Sequence, residues 1–416
     1  MRESFRPGGT EPARRPGRGA RAVLCGAAAV LLGTAVVAPS PAAAAVPRCG
    51  PAGEAAPAEK PWPMHRLEPE SAWRLSRGAG VTVAVIDSGV SASHPVLQGQ
   101  VKVGRDFNGL SQQQGRCDLA GHGTIIAGII AGRDDTGGPF TGIAPQAKIL
   151  PVRVLPDTKT RVDEELPGQI AEAIEWSVRN GADVINLSLT TLDTERLKSA
   201  VDYALDEGVI VVAAAGNRQE NQQDRAKFPA AYEGVIAVAG VDEQGGHVDS
   251  SVARDYVSIA APGLNILGPA PGGTGYLFLP QGGTSFAAAY VSGVAALVRA
   301  AHPNLTPAQV KDRLIRTADS PPEGRNAEVG HGVVNPYRAV ATLLGTRTDP
   351  PAGAMPPPPP TTDPLAWQGT VAVWVAAVGA LLATLLLAVK PILIRGRRRG
   401  WRPGRRPAGP DTAPTA

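Results

Sequence analysis

Between residues 75 and 344 the chain alternates between short β-branched aliphatic runs and longer stretches whose apolar residues recur every three or four positions. The runs cover 81–86, 147–155, 182–189, 209–215 and 234–241, each nearly unbroken by polar residues. Continuous aliphatic runs of that length predict strands covered on both faces, as in a parallel sheet. Residues 164–180 and 193–207 have helical periodicity and are followed by Gly181 and Gly208, residues suited to ending a helix. Strand, helix, strand repetition predicts an α/β domain: a doubly wound parallel sheet with helices on both faces. Two more apolar helices are expected, one over 125–131 and one running from the residues around Ser285 to about Ala300.

A different pattern closes the chain. Residues 369–389 contain no charge for 21 positions, which as a helix is about 31 Å long and matches a hydrocarbon core of ~30 Å. A transmembrane helix is therefore predicted at 367–390. Lys390 and seven Arg residues follow in a basic tail over 391–416. The positive-inside bias puts that tail in the cytoplasm and the large domain outside, as a single-pass protein of the cell membrane. At the other end, an Arg-bearing stretch through Arg21, an apolar run over 22–37 and the small residues Ala43 and Ala45 read as a signal peptide over 1–45. An uncleaved first span is the alternative. Residues 46–74 then form an N-terminal extension, 75–344 the globular domain, and 345–366 a linker whose unbroken Pro356 to Pro360 is an extended spacer.

Composition refines this division. With 49 Gly, 40 Pro and only 4% aromatic residues, the core must be built from small aliphatic side chains. The formal charge is +4, but residues 1–45 carry +4 and 390–416 carry +7, which leaves −7 for everything between. An acidic globular part with basic terminal arms offers no footprint for nucleic acid. Cys25 falls in the expected signal, so Cys49 and Cys117 remain in an oxidising compartment, where pairing is expected and two free buried thiols are the alternative.

Three glycine-bearing motifs carry candidate chemistry. Asp87-Ser88-Gly89 follows the first strand, and alone it is a common turn. Gly121-His122-Gly123-Thr124 opens the helix over 125–131; a helix start disfavours the protonated imidazole, though a capping loop with an incidental His has the same residues. Gly283-Thr284-Ser285 leads into the last helix of the domain, where Ser is an ordinary cap but where N–H groups can also stabilise an oxyanion. Taken together, Asp, His and Ser in that chain order, each in its own glycine turn, resemble the subtilisin family of serine proteases. Ala213-Ala214-Ala215-Gly216-Asn217, Phe228-Pro229-Ala230-Ala231-Tyr232 and Gly332-Val333-Val334-Asn335 extend that resemblance over roughly residues 75–345.

The resemblance implies a catalytic triad of Asp87, His122 and Ser285, with Asn217 donating to the oxyanion and Leu187, Ser188 and Leu189 as the strand edge that receives a polypeptide substrate. It departs from the family at Ala289, where a Pro is usual, and at Thr190, where a Gly is common. The segment of about 35 residues between the expected cleavage and the first strand is much shorter than the family's folding pro-domain. No cofactor is implied, and no Asp-x-Asp-x-Asp-Gly loop indicates a metal. Signal, short extension with a Cys, Pro-rich linker, one span and basic tail resemble in layout the mycosins of type VII secretion systems. Phe286 after the nucleophile and Tyr290 strengthen that likeness. A general surface-tethered protease and a structural subunit of a secretion complex with little proteolysis are the rival expectations.

Overall fold

The computed structural model describes residues 49–109, 113–156, 164–218, 226–344, 366–398 and 400–401. The expected signal peptide, residues 345–365 of the expected linker over 345–366 and the tail beyond Trp401 lie outside the described residues. The chain falls into two units that divide at Leu343 and Leu344.

In the first unit a short helix, α1 (Trp62–Leu67), precedes β1 (Thr82–Asp87), β2 (Arg105–Asp106), α2 (His122–Ala131), β3 (Lys148–Arg153), α3 (Leu166–Arg179) and β4 (Val184–Leu187). Then come α4 (Glu195–Asp206), β5 (Ile210–Ala214), β6 (Ile236–Val241), β7 (Ile259–Pro262), β8 (Ile266–Pro269), β9 (Tyr276–Leu279), α5 (Thr284–Ala301), α6 (Pro307–Arg316) and α7 (Pro336–Ala341). Seven strands form one sheet in the order β2-β3-β1-β4-β5-β6-β7, and every pairing in it is parallel. All five expected strands are present, each starting one or two residues later than expected and ending within two residues of the expected end. β7 escaped the sequence pattern because its apolar part is only Ile259-Ala260-Ala261 before Pro262. The β8–β9 antiparallel hairpin is a second addition.

Alternate side chains of each strand enter two cores. Val83, Val85, Ile149, Val184, Val212 and Val238 meet α2 and α5 on one face. Ala84, Ile86, Leu150, Ile185, Val211 and Ala237 meet α3 and α4 on the other. Burial on both faces is why the strands read as unbroken aliphatic runs. The small residues of α5, such as Ala287, Ala288, Ala295 and Ala296, are all fully buried, and their size lets that helix lie close on the sheet. Gly181 and Gly208 close α3 and α4 with φ of 76° and 81°, as their place after the last periodic residue implied.

The second unit contains α8 (Ala366–Arg398), a helix of 33 residues with Pro391 inside it. Its part from Val371 is apolar and, by length and composition, long enough to cross a membrane. The helix does not stop with the expected span at 390 but continues into the basic segment, as far as Arg398.

Candidate active site

The three motif turns gather at the carboxyl ends of the parallel strands, where open α/β sheets hold their ligands. Asp87 is the last residue of β1 and is fully buried. Its Oδ1 accepts from the Ser88 backbone N–H at 2.7 Å and from His122 Nδ1 at 2.8 Å. The second oxygen, Oδ2, is buried without a hydrogen-bond partner. His122 is the first residue of α2. The two turns approach so closely that side chains are excluded: a Cβ on Gly123 would stand 2.1 Å from the Gly89 carbonyl oxygen, and one on Gly89 would stand 2.2 Å from that of Cys117. The glycines flanking the acid and the base are therefore a steric requirement of their juxtaposition.

Asp118, which the sequence did not single out, underlies both turns. It is fully buried. Its Oδ1 accepts from Ser88 Oγ (2.9 Å), Ala120 N (3.1 Å) and Gly121 N (2.8 Å), and its Oδ2 from Thr124 N (2.8 Å) and Thr124 Oγ1 (2.7 Å). Ser88 Oγ in turn accepts from Gly123 N at 3.1 Å. One carboxylate thus ties the loop after β1 to the start of α2. The signal was an Asp four residues before the His in a Cys-Asp-Leu-Ala-Gly-His segment, whose acid had to satisfy the open N–H groups of the helix. Burial pushes the Asp118 carboxyl above its ordinary range, against the opposing hydrogen bonds from Thr124 and Gly121.

For His122, burial acts to lower the pKa, but the charge of Asp87, its hydrogen bond and the charge of Asp118 outweigh burial and raise it. The expected disfavouring of imidazolium by the helix start is therefore reversed. Two buried carboxylates act at shorter range than the dipole of a helix end. The imidazole also lies 5.3 Å, ring centre to ring centre, from Phe286, which brings α2 against the start of α5.

Ser285 is the second residue of α5. Its hydroxyl donates to the Ser188 carbonyl at 2.9 Å, and no hydrogen bond joins it to His122 among the described residues. Ser188 Oγ donates back to the Ser285 carbonyl at 2.7 Å and accepts from Asn186 Nδ2 at 2.9 Å. Asn186 Oδ1 accepts from Ser292 Oγ at 2.9 Å. This buried polar chain pins the Ser285 backbone to the end of β4. Leu187 lies within β4, paired with Ala213 and fully buried, so its side chain is a core residue. Ser188 and Leu189, past the end of β4, are also buried, at 3% and 7% exposed, and β4 itself lies between β1 and β5 and is not an edge strand.

Asn217 follows β5. Its Oδ1 accepts from Thr284 N at 3.0 Å and Thr284 Oγ1 at 3.1 Å. Thr284 Oγ1 also accepts from Gly216 N at 3.2 Å. With the amide oxygen committed to the start of α5, the amide nitrogen lies beside Gly283, where a Cβ would approach Nδ2 to 3.1 Å. The N–H of Ser285 lies in the same first turn, whose donors have no intrahelical acceptor. Together they form a pair of donors suited to a developing oxyanion. Thr284 is the second residue that motif reading passed over, since it stood between two better-known neighbours.

Cys49 and Cys117 are joined by a disulfide. It fastens the start of the described chain to the residue preceding Asp118. Glu54 then pairs in antiparallel fashion with Tyr276 of β9. Among the described residues no cluster of three or more His, Cys, Asp or Glu could hold a metal ion.

The model of the subtilase family matches residues 78–332. Subtilisin DY of Bacillus licheniformis is 36% identical over 261 residues, which is 62% of this chain and 90% of that protein. Subtilisin E of Bacillus subtilis is 38% identical over 263 residues, covering 62% of this chain and 65% of that one. Among solved structures, MycP1 from Mycobacterium smegmatis superposes with a TM-score of 0.64 at 31% identity, covering 72% of this chain and 90% of that chain. A chain of the intact ESX-5 inner membrane complex superposes with a TM-score of 0.62 at 31% identity, covering 81% of this chain and 90% of that one.

Proposed function

The chain belongs to the subtilase family, and from that premise we propose that Asp87, His122 and Ser285 carry out peptide-bond hydrolysis outside the cell membrane, beside a type VII secretion complex. The observation that carries the chemistry is the 2.8 Å bond from His122 Nδ1 to Asp87 Oδ1. It fixes the tautomer and leaves Nε2 as the free base. Ser285 Oγ turns from the Ser188 carbonyl toward that nitrogen, gives up its proton and attacks the scissile carbonyl. Asn217 Nδ2 and the Ser285 N–H receive the oxyanion, and His122 returns the proton to the leaving amine. Water then repeats the sequence on the acyl-enzyme. Asp87 keeps its charge throughout and stabilises the imidazolium.

The secretion role is supported by mycosin structures among the relatives, including chains of ESX-5 membrane assemblies. The apolar helix and the eight basic residues from Lys390 onward support an anchor with its C-terminus in the cytoplasm. A spacer over 345–366 would hold the protease near its membrane, where an exported polypeptide reaches a high effective concentration. A structural contribution to the complex is favoured alongside proteolysis, because the likeness to the intact ESX-5 complex extends over 81% of the chain.

Labelling with a fluorophosphonate tests the chemistry: the wild-type chain is expected to label and Ser285→Ala to remain blank while staying folded. Equal labelling of both sinks the nucleophile assignment. Export by the type VII system separates the two roles. Ser285→Ala is expected to stop substrate processing and leave export running, whereas deletion of the chain stops export. Undiminished export after deletion leaves a surface-tethered protease as the function.

A further inference from the structure

The chain contains two Asn-Gly dipeptides, Asn108-Gly109 and Asn180-Gly181. Asparagine is chemically labile, and a following glycine leaves its backbone nitrogen unhindered for attack on the side-chain amide. The fold treats the two pairs in opposite ways. At the end of α3, Asn180 Nδ2 donates to the Trp176 carbonyl at 2.7 Å and Gly181 N donates to the Val178 carbonyl at 3.1 Å. Both groups that such a reaction needs are held there. After β2 neither is held. Asn108 is half-buried, and its Nδ2 is buried without a hydrogen-bond partner. Gly109 is exposed, with φ of 64°, and a Cβ placed on it would meet nothing within 4 Å. Among the described residues no hydrogen bond ties its N–H.

A second unsatisfied group shares a neighbour with Asn108. Arg153, the last residue of β3, is fully buried, and its Nε and one terminal nitrogen have no hydrogen-bond partner. The other terminal nitrogen reaches the Cys117 carbonyl at 3.5 Å and stands 3.8 Å from Asp106 Oδ2, beyond hydrogen-bond reach. Asp106 Oδ1 accepts from the Asn108 backbone N–H at 2.9 Å. One carboxylate thus has the Asn108 backbone at one oxygen and the Arg153 guanidinium near the other, and each of those residues keeps a buried donor unmatched. Buried donors and buried cations are costly when unpaired. A carboxylate in place of the Asn108 amide removes one orphan donor and supplies an acceptor for the other.

We propose that Asn108 is a self-modification site: it deamidates, and the carboxylate so formed pairs with Arg153. Gly109 N attacks Asn108 Cγ and forms a C–N bond. The Cγ–Nδ2 bond breaks, and the amide leaves as ammonia with the proton from the Gly109 nitrogen. Water then opens the cyclic imide at Cγ, giving its hydroxyl to that carbon and its remaining proton to the Gly109 nitrogen. Nothing is oxidised or reduced. Opening at Cγ restores the original backbone, so the N–H at 108 keeps its bond to Asp106. The new carboxylate accepts from the guanidinium in charge-assisted hydrogen bonds, which are stronger than neutral ones. At Asn180 the same dipeptide stays intact, because the helix end holds both its amide and the following N–H.

The full chain in detergent micelles is aged at mildly alkaline pH in water enriched in heavy oxygen, then digested in ordinary water and mapped by mass spectrometry. The peptide containing Asn108 is expected to exchange its amide nitrogen for a heavy oxygen, while the peptide containing Asn180 stays unchanged. An intact Asn108 would overturn the proposal. So would equal conversion of Asn180, which would place the reactivity in the dipeptide and not in the fold. Calorimetry tests the pairing. Asn108→Asp is expected to raise Tm by about 3 °C, and Asn108→Ala, which removes the orphan donor and adds no charge, to give less. An Asn108→Asp chain no more stable than the wild type, or one matched by Asn108→Ala, would overturn the pairing with Arg153.

Discussion

The two halves of the candidate site are held in different ways. On the acid and base side, Asp87 and His122 are bonded to each other. Asp118 supports them through five hydrogen bonds, and the disulfide at Cys117 closes the loop. Little freedom is left there. On the nucleophile side, the backbone is pinned by Ser188, Asn186 and Ser292, and Asn217 is oriented by Thr284, but the reactive hydroxyl itself rests on the Ser188 carbonyl. His122 is held by its bond to Asp87, whereas the Ser285 hydroxyl rests on a backbone carbonyl. Proton transfer needs an imidazole of fixed direction throughout the cycle, whereas the serine oxygen must move between attack, acyl and release geometries.

The largest departure from this balance should come from Asn217→Ala. It removes a donor that meets charge only in the transition state, so kcat should fall by about 100- to 1000-fold with KM nearly unchanged, a magnitude the general rule takes from a subtilisin. Steady-state kinetics on a peptide substrate measures both. A change confined to KM would assign Asn217 to ground-state binding instead.

Asp118→Asn sharpens the comparison from the base side. The wild-type His122 has a raised pKa, so it is the free base only above that value, and kcat/KM should rise with pH through a midpoint above the ordinary 6.5. Removing the Asp118 charge takes away one of the causes that raise it. The acid limb of the pH profile should then move to lower pH, with a loss of about tenfold at the plateau from a weaker and less well-placed base. Ser88→Ala, which keeps the charge and cuts one strut, should lower the plateau without moving the limb. An acid limb unmoved by Asp118→Asn would mean that Asp118 is a structural cap alone.

Cys49→Ser should have the smallest catalytic effect and a clear thermal one. The bond spans 68 positions, a loop for which chain entropy gives about 4 kcal/mol at most, so a fall in Tm of about 10 °C is expected by calorimetry. Turnover at 25 °C should stay close to the wild type. A collapse of kcat/KM with an unchanged Tm would show that the disulfide positions Asp118 and does not merely hold the fold.

What could be read in the sequence was whatever repeats. β1, β3, β4, β5 and β6 were legible because burial on both faces forces five separate aliphatic runs, and α3 and α4 because their periodicity ends at a glycine. The site motifs were legible because close approach leaves room only for glycine beside Asp87 and His122. β7 was too short and ended in Pro262. The β8–β9 hairpin carries Gly and Pro where alternation would have shown it. Asp118 and Thr284 were invisible for another reason: each works by filling hydrogen bonds from residues brought near by folding, and a polar residue in a turn has many such uses.

By length and apolar composition α5 could cross a membrane as α8 could, yet α5 lies in the middle of the first unit. Chain order distinguishes their fates. All seven strands of the main sheet, from Thr82 to Pro262, precede α5 at Thr284–Ala301. In a chain that emerges from its N-terminus, the sheet that α5 covers appears before the helix follows, and domains tend to fold in the order they appear. The apolar surface of α5 meets a waiting partner in water. The proposed anchor role of α8 rests on the same length and apolar composition from Val371 onward. α5, for all its apolar length, is held in the domain core by strands that precede it in the chain.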